Sequence, residues 1–150
     1  MTLPWPLEEL LPHSGQMILI DDAIDTGDGW VEAGVRIAED CLFYEPGAGI
    51  PSWIGIEYMA QTVALFSGIQ AKRANQKVRV GFLLGTRRYE AATGYFELGS
   101  YLRIFVQEQW NDGKMAIFDC HIEEECRVAS ARLSVFQPPD LAEFLNGAST

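Results

Sequence analysis

The chain has 150 residues, 48% of them hydrophobic, which suits one domain with a sizeable core and excludes a disordered chain. Its formal net charge of -10 argues against a nucleic-acid binder. Cys41, Cys120 and Cys126 have no CxxC spacing, and His13 and His121 have no ligand-spaced partner, so no metal site is expected and the thiols fit a reducing, cytoplasmic setting.

Met1 to Leu11 carries no basic stretch and no apolar core, so no signal peptide is expected. Pro6 to Leu11 is read as one short helical turn. Met17 to Ile24 is an apolar run broken by Asp21 and Asp22 and is read as a strand. Asp25-Thr26-Gly27-Asp28-Gly29 is a turn cluster. Trp30 to Ile37 alternates, with Val31, Ala33, Val35 and Ile37 against Glu32, Gly34 and Arg36, which predicts a second strand and a hairpin. Cys41 to Ile50, with Pro46, Gly47 and Gly49, is a loop.

A long helix is predicted over Pro51 to Ala74, with proline at its first position. Its surface is apolar almost all round through Ile69, which marks a buried helix. Its uncharged run, Tyr58 to Ala71, is too short to span a bilayer. Val78 to Tyr89 reads as a strand with a break at Gly85. Tyr101 to Trp110, Met115 to Glu123 and Arg127 to Phe136 read as three more, with Asn111-Asp112-Gly113 a strong hairpin turn. Pro139 to Leu145 is read as a short closing helix. An antiparallel sheet curled around one central helix buries all of this, giving an α+β domain over residues 1–150.

The predicted helix places one carboxylate, Glu57, and one amide, Gln61, on the same face, since i and i+4 are neighbours on a helix. A charged side chain is rarely buried unless it is paired or working. This polar strip is therefore a candidate reaction site. Between Tyr58 and Tyr89 there is no acidic residue, while Lys72, Arg73, Lys77, Arg79, Arg87 and Arg88 fall in that window. Such a window can dock an acidic partner. It also reads as a solvated helix end followed by a strand, because basic side chains favour helix C-termini.

This order of elements resembles the hotdog fold, and the motifs resemble the bacterial beta-hydroxyacyl-acyl-carrier-protein dehydratases. Leu11-Pro12-His13 followed by Met17-Ile18-Leu19-Ile20-Asp21 is similar to their "LPH…fLLVDR" segment. Pro51 to Gln61 is similar to their "PGxLxxExMAQ" helix start, with Glu57 and Met59-Ala60-Gln61 in register. Leu98-Gly99-Ser100 resembles their "PGD" turn. The likeness covers roughly residues 11 to 137. One departure is specific. The family's "FFxGHFPxxP" loop carries the catalytic histidine, and here the loop reads Leu42-Phe43-Tyr44-Glu45-Pro46-Gly47-Ala48-Gly49-Ile50-Pro51. A missing histidine, with the strand Gly81 to Tyr89, most resembles the dehydratase-like subunits of aryl-polyene pigment clusters.

The resemblance implies elimination of water from a 3-hydroxyacyl thioester on an acyl carrier protein, with no cofactor. Glu57 would be the acid that protonates the departing hydroxyl, a role that burial of a carboxyl group favours. Gln61 would orient Glu57 or a bound carbonyl; alternatively it is a satisfied polar residue between helices. Ser52 falls where the family has a glycine whose N–H polarises the thioester carbonyl, a donation that a helix N-terminus supports. Pro51, Ser52, Trp53, Phe82, Leu83 and Gly85 are expected to bind substrate, with core packing the alternative for the apolar ones. His13 is expected to be structural, and His121 solvated. The basic window would dock the carrier. The assembly would be a homodimer or higher oligomer, or a hetero-oligomer with a second hotdog dehydratase. A non-catalytic acyl-chain-binding subunit and a hotdog thioesterase are the competing functions.

Overall fold

The computed structural model describes residues 3–78 and 81–137. Arg79 and the closing helix expected over 139–145 lie outside the described residues. A short helix α1 (Leu7–Leu10) and a 3-10 turn (Gly15–Met17) lead into β1 (Asp22–Gly27) and β2 (Trp30–Arg36). A two-residue strand β3 (Ile50–Pro51), a 3-10 turn (Ser52–Ile54) and the long helix α2 (Gly55–Arg73) follow. The chain continues through β4 (Phe82–Ala91), β5 (Tyr95–Phe96), β6 (Tyr101–Asn111), β7 (Met115–Glu123) and β8 (Arg127–Phe136).

Six strands form one sheet in the order β1-β2-β6-β7-β8-β4, and every neighbouring pair is antiparallel. β3 and β5 form a separate two-stranded ribbon. The alternation in the sequence decides which face is covered. Val31, Ala33 and Val35 of β2, Leu102, Ile104 and Val106 of β6, and Phe118, Cys120 and Ile122 of β7 are all buried. They meet Tyr58, Met59, Val63, Leu65, Phe66 and Ile69 of α2 in one apolar core, with Phe66 edge-on to Phe118 at 5.7 Å between ring centroids. Burying each such side chain contributes roughly 1.5–3 kcal/mol. α1 reaches this core because α2 offers Gly68. A Cβ there would lie 1.9 Å from the Leu10 carbonyl oxygen, so only glycine permits the approach.

α2 spans 19 residues, about five turns, and stops by chemistry visible in its sequence. Asn75 takes a left-handed φ of 58° just past the end. The Asn75 N–H then reaches the Lys72 carbonyl at 3.1 Å and the Gln76 N–H reaches Ala71 at 2.7 Å, satisfying carbonyls that the helix leaves open.

Three boundaries differ from the sequence expectation, one of them that of β4, which begins at Phe82 rather than Val78. Residues 17–21 are not strand, and β1 starts at Asp22, because the backbone of Met17 and Leu19 bonds to a side chain of α2 rather than to a ladder. Pro51 is not the first helical residue. It pairs with Tyr95 in the small ribbon, and a 3-10 turn separates it from α2.

Candidate functional site

Glu57 stands in the first turn of α2, and the face that follows it is small. Glu57, Ala60, Val63, Ala64 and Ser67 form one stripe and line a cavity of about 230 Å³. Phe82 and Leu83 of β4 and Val135 of β8 close it on the sheet side. Pro12 and His13 close it from the N-terminal segment. Glu57 is the one carboxylate among the described lining residues, in walls that are otherwise mostly apolar.

Gln61, one turn on, is fully buried. Its side-chain nitrogen donates to the Met17 carbonyl at 2.6 Å, and its oxygen accepts from the Leu19 N–H at 2.8 Å. The same nitrogen lies 3.4 Å from Glu57 Oε1. Gln61 therefore clamps the segment after His13 onto α2 and offers a weak third contact to Glu57. Gln61 is thus a satisfied buried amide within 3.4 Å of the carboxylate. Its two N–H donors are both engaged, one on Met17 and the other weakly on Glu57.

His13 lines the same cavity as Glu57, although the two are far apart in sequence. Its Nδ1 is closed to solvent and has no hydrogen-bond partner among the described residues. An unmet buried polar atom costs about 1–3 kcal/mol.

The start of α2 is held from the sheet. The Tyr89 hydroxyl donates to the Ser52 carbonyl, and burial pushes that phenol up to about 12. Gly55 makes room for it, since a Cβ there would lie 2.4 Å from the Tyr89 hydroxyl. The Ser52 N–H, expected to polarise a thioester carbonyl, instead donates to the Gly94 carbonyl at 2.9 Å. That donor is committed, which removes the oxyanion role expected for it.

Phe82 and Leu83 share the Glu57 cavity, while Pro51 and Trp53 do not. They line a neighbouring open concavity with Phe43, Tyr44 and Glu45 of the preceding loop. Trp53 is 64% exposed there, with its ring 6.4 Å from Phe43. The loop closes on itself through Glu45 and Gly49, which exchange backbone hydrogen bonds at 2.7 and 2.9 Å. Gly85 is exposed at an irregularity of β4 and lines neither concavity.

The basic window divides. Lys72 and Arg73 lie in the last turn of α2, with Lys77 just beyond. Arg87 and Arg88 precede Tyr89, which touches the opposite end of the helix. About 28 Å of helix separates the two groups. Among the described residues no group of three or more His, Cys, Asp or Glu could hold a metal ion, and no helix is long and apolar enough to cross a membrane.

One buried helix wrapped by an antiparallel sheet, with a carboxylate in its first turn lining a mostly apolar cavity, is the arrangement of a hotdog protein. The chain belongs to the ApeP-like family, described as ApeP dehydratase, whose family model matches residues 5–146. It is similar to a chain of the dehydratase heterocomplex ApeI:P from Xenorhabdus doucetiae, with 28% identity over 97% of this chain and 99% of that one and a TM-score of 0.89. A homologue of HP0420 from Helicobacter felis (12% identity, 94% and 93% covered, TM-score 0.66) shares the fold. So does the Escherichia coli PaaI protein of the phenylacetic acid degradation operon (12%, 77% and 81%, TM-score 0.61). No curated protein matches the sequence.

Proposed function

We propose that this chain is the dehydratase-like subunit of a two-chain enzyme that removes water from a 3-hydroxyacyl thioester on an acyl carrier protein, in aryl-polyene assembly. The observation that carries it is Glu57, alone among apolar walls, in a cavity whose rim is the end strand of the sheet. Among the described residues β4 has a sheet neighbour on one side only, β8, and exposes Leu83 and Leu84, 43% and 54% accessible. An apolar strand edge of this kind is a template for a second chain. The similar Xenorhabdus structure being a heterocomplex supports a different hotdog subunit as that chain.

In the proposed reaction a base takes the C2 proton and its bonding pair becomes the C2–C3 double bond. The C3–O bond breaks, and the hydroxyl leaves as water with the proton from the Glu57 carboxyl. The loop over 42–51 offers no histidine, so the base is a histidine of the second subunit reaching across the β4 edge. The acidic carrier docks on basic residues of this chain, drawn from Lys72, Arg73, Lys77, Arg79, Arg87 and Arg88.

One observation favours a second reading. His13 shares the cavity with Glu57 and has an unmet nitrogen, so it could be the base within one chain. The test is incubation with 3-hydroxyacyl carrier protein, alone and with a partner dehydratase, following loss of water by mass. A positioned base contributes about 10²- to 10⁴-fold, so that gain should appear only in the mixture. Turnover by the isolated chain that His13→Ala abolishes moves the base into this subunit. Thioester hydrolysis without enoyl product overturns the dehydratase reading in favour of a thioesterase.

A further inference from the structure

The sheet face turned away from α2 carries a groove of about 550 Å³, lined in part by Arg87, Arg88, Arg127 and Arg132. Ligand pockets typically measure about 300–1,000 Å³. Only Arg87 and Arg88 of these lie in the basic window; strand register brings the others. Arg87 stands opposite Arg132, and Arg132 opposite Asp119. Asp119 takes Arg132 through two hydrogen bonds of 2.8 and 3.2 Å, so that guanidinium is already committed. Arg127 reaches only the His121 ring, at 3.4 Å, and Arg87 and Arg88 have no ion pair among the described residues.

Consecutive residues of a regular strand point to opposite faces. Arg87 and Arg88 nonetheless line the same groove, because β4 shifts register between Arg87 and Glu90 and Arg88 adopts a left-handed φ of 56°. That backbone is unfavourable for a non-glycine residue. The bulge thus adds a cation to a face that already has like charges opposite each other, which is unfavourable in an empty groove. An oxyanion reverses the sign of the charge term.

We propose that this outer-face groove is a phosphate-ester site, gripped by Arg87, Arg88 and Arg127 against a wall formed by Arg132 and Asp119. Three guanidiniums present more paired N–H donors than one carboxylate can accept, and they match the several oxygens of a phosphate. A long nucleic acid is disfavoured by the net charge of -10, whereas a short ligand feels chiefly the arginines within a Debye length, about 10 Å. The phosphate could be free, as in a nucleotide, or borne by the prosthetic arm of a carrier protein; the second source rests on the carrier reading above.

Calorimetry with inorganic pyrophosphate on the full chain tests the site. Binding is expected at one per chain, weaker at high salt, and at least about tenfold weaker in Arg87→Gln/Arg88→Asn, since one lost charge-assisted pair is worth about 1.5–3 kcal/mol. Asparagine tolerates the left-handed backbone, so that variant keeps its fold. Lys114→Gln, on an exposed turn elsewhere, should leave the affinity unchanged. Displacement by adenosine diphosphate assigns a free ligand; displacement by holo- but not apo-carrier assigns the arm. Displacement by the nucleotide with no carrier effect sinks the carrier reading and keeps the site. Equal binding by the double variant, or pyrophosphate that neither competitor displaces (an adventitious ion only), overturns the proposal.

Discussion

The side-chain nitrogen of Gln61 sits 2.6 Å from the carbonyl oxygen of Met17, so an amide in the long helix holds a segment that would otherwise run free past the mouth of the cavity. Replacing Gln61 by Leu strands that carbonyl and the Leu19 N–H together. Each unmet buried group costs about 1–3 kcal/mol, and the loss should be visible as an earlier urea midpoint. Activity in the mixed complex should fall as well, because His13 and Glu57 lose their shared frame. An unshifted midpoint would mean that water replaces the amide and that the clamp is not structural.

Glu57→Gln tests the acid. The substitution keeps size and hydrogen bonding, so thermal stability should hold. Loss of the proton donor should lower dehydration by about 10²- to 10⁴-fold. Water loss measured by mass on the carrier-bound substrate, in the presence of the partner, reads this directly. Turnover equal to the parent protein removes Glu57 from the chemistry.

The start of the helix yields a double-mutant cycle. Tyr89→Phe gives up the hydroxyl bond to the Ser52 carbonyl and should cost about 1 kcal/mol. Gly55→Ala pushes a methyl group against that hydroxyl and should cost more, about 1–3 kcal/mol. Combined, the two should cost less than their sum, since the phenylalanine removes the atom that the alanine strikes. Strict additivity in chemical unfolding would show that the residual contacts of Gly55 with Ile122 and Phe96 set the penalty instead.

His121 provides a pH signature. Burial, then the neighbouring Arg127, hold its imidazole below the ordinary histidine value, with Glu123 at 3.1 Å opposing them. The folded state thus binds this proton less readily than the unfolded chain does. Stability from His121 is complete above about pH 6.5 and is lost as pH falls through that value toward the lower folded one. His121→Phe keeps the stacking on Phe105, whose ring lies 5.0 Å away, and removes the titration. The parent protein should lose stability relative to the variant between pH 7.5 and 5.5, values set by the experimenter at about one unit either side of 6.5. A difference that stays flat, or grows the other way, assigns the net effect to Glu123. Burial raises the Asp21 carboxyl in the opposite sense, a contribution that the parent and the variant share.

Periodicity made the main elements legible. α2 is apolar all round, β2 alternates strictly, and β7 and β8 begin and end where the turn residues say. Glu57 was visible for the same reason, as a charge out of place in an apolar helix. What stayed hidden depends on contacts between distant residues. Nothing local marks His13 as lining the cavity of Glu57, since the two are far apart in sequence. The ribbon of β3 and β5 has two residues per strand, too few for any period to show. The commitment of the Ser52 N–H follows from the position of Gly94. Arg127 and Arg132 join Arg87 only through pairing register, which the spacing of charges along the chain does not encode. Left-handed Arg88 was beyond reach too, because the glycine or asparagine that usually announces such a backbone is absent there.

The end strand β4 has a consequence for supply. Its stretch Phe82-Leu83-Leu84 carries neither charge nor proline, the features by which sheet edges usually avoid unwanted pairing. A cell making this chain in excess of the subunit that covers β4 would accumulate molecules able to pair edge to edge with one another. Matched synthesis of the two chains is then a solubility requirement before it is a catalytic one. Tagged protein expressed alone should elute as concentration-dependent assemblies and resolve to a single species on co-expression with its partner.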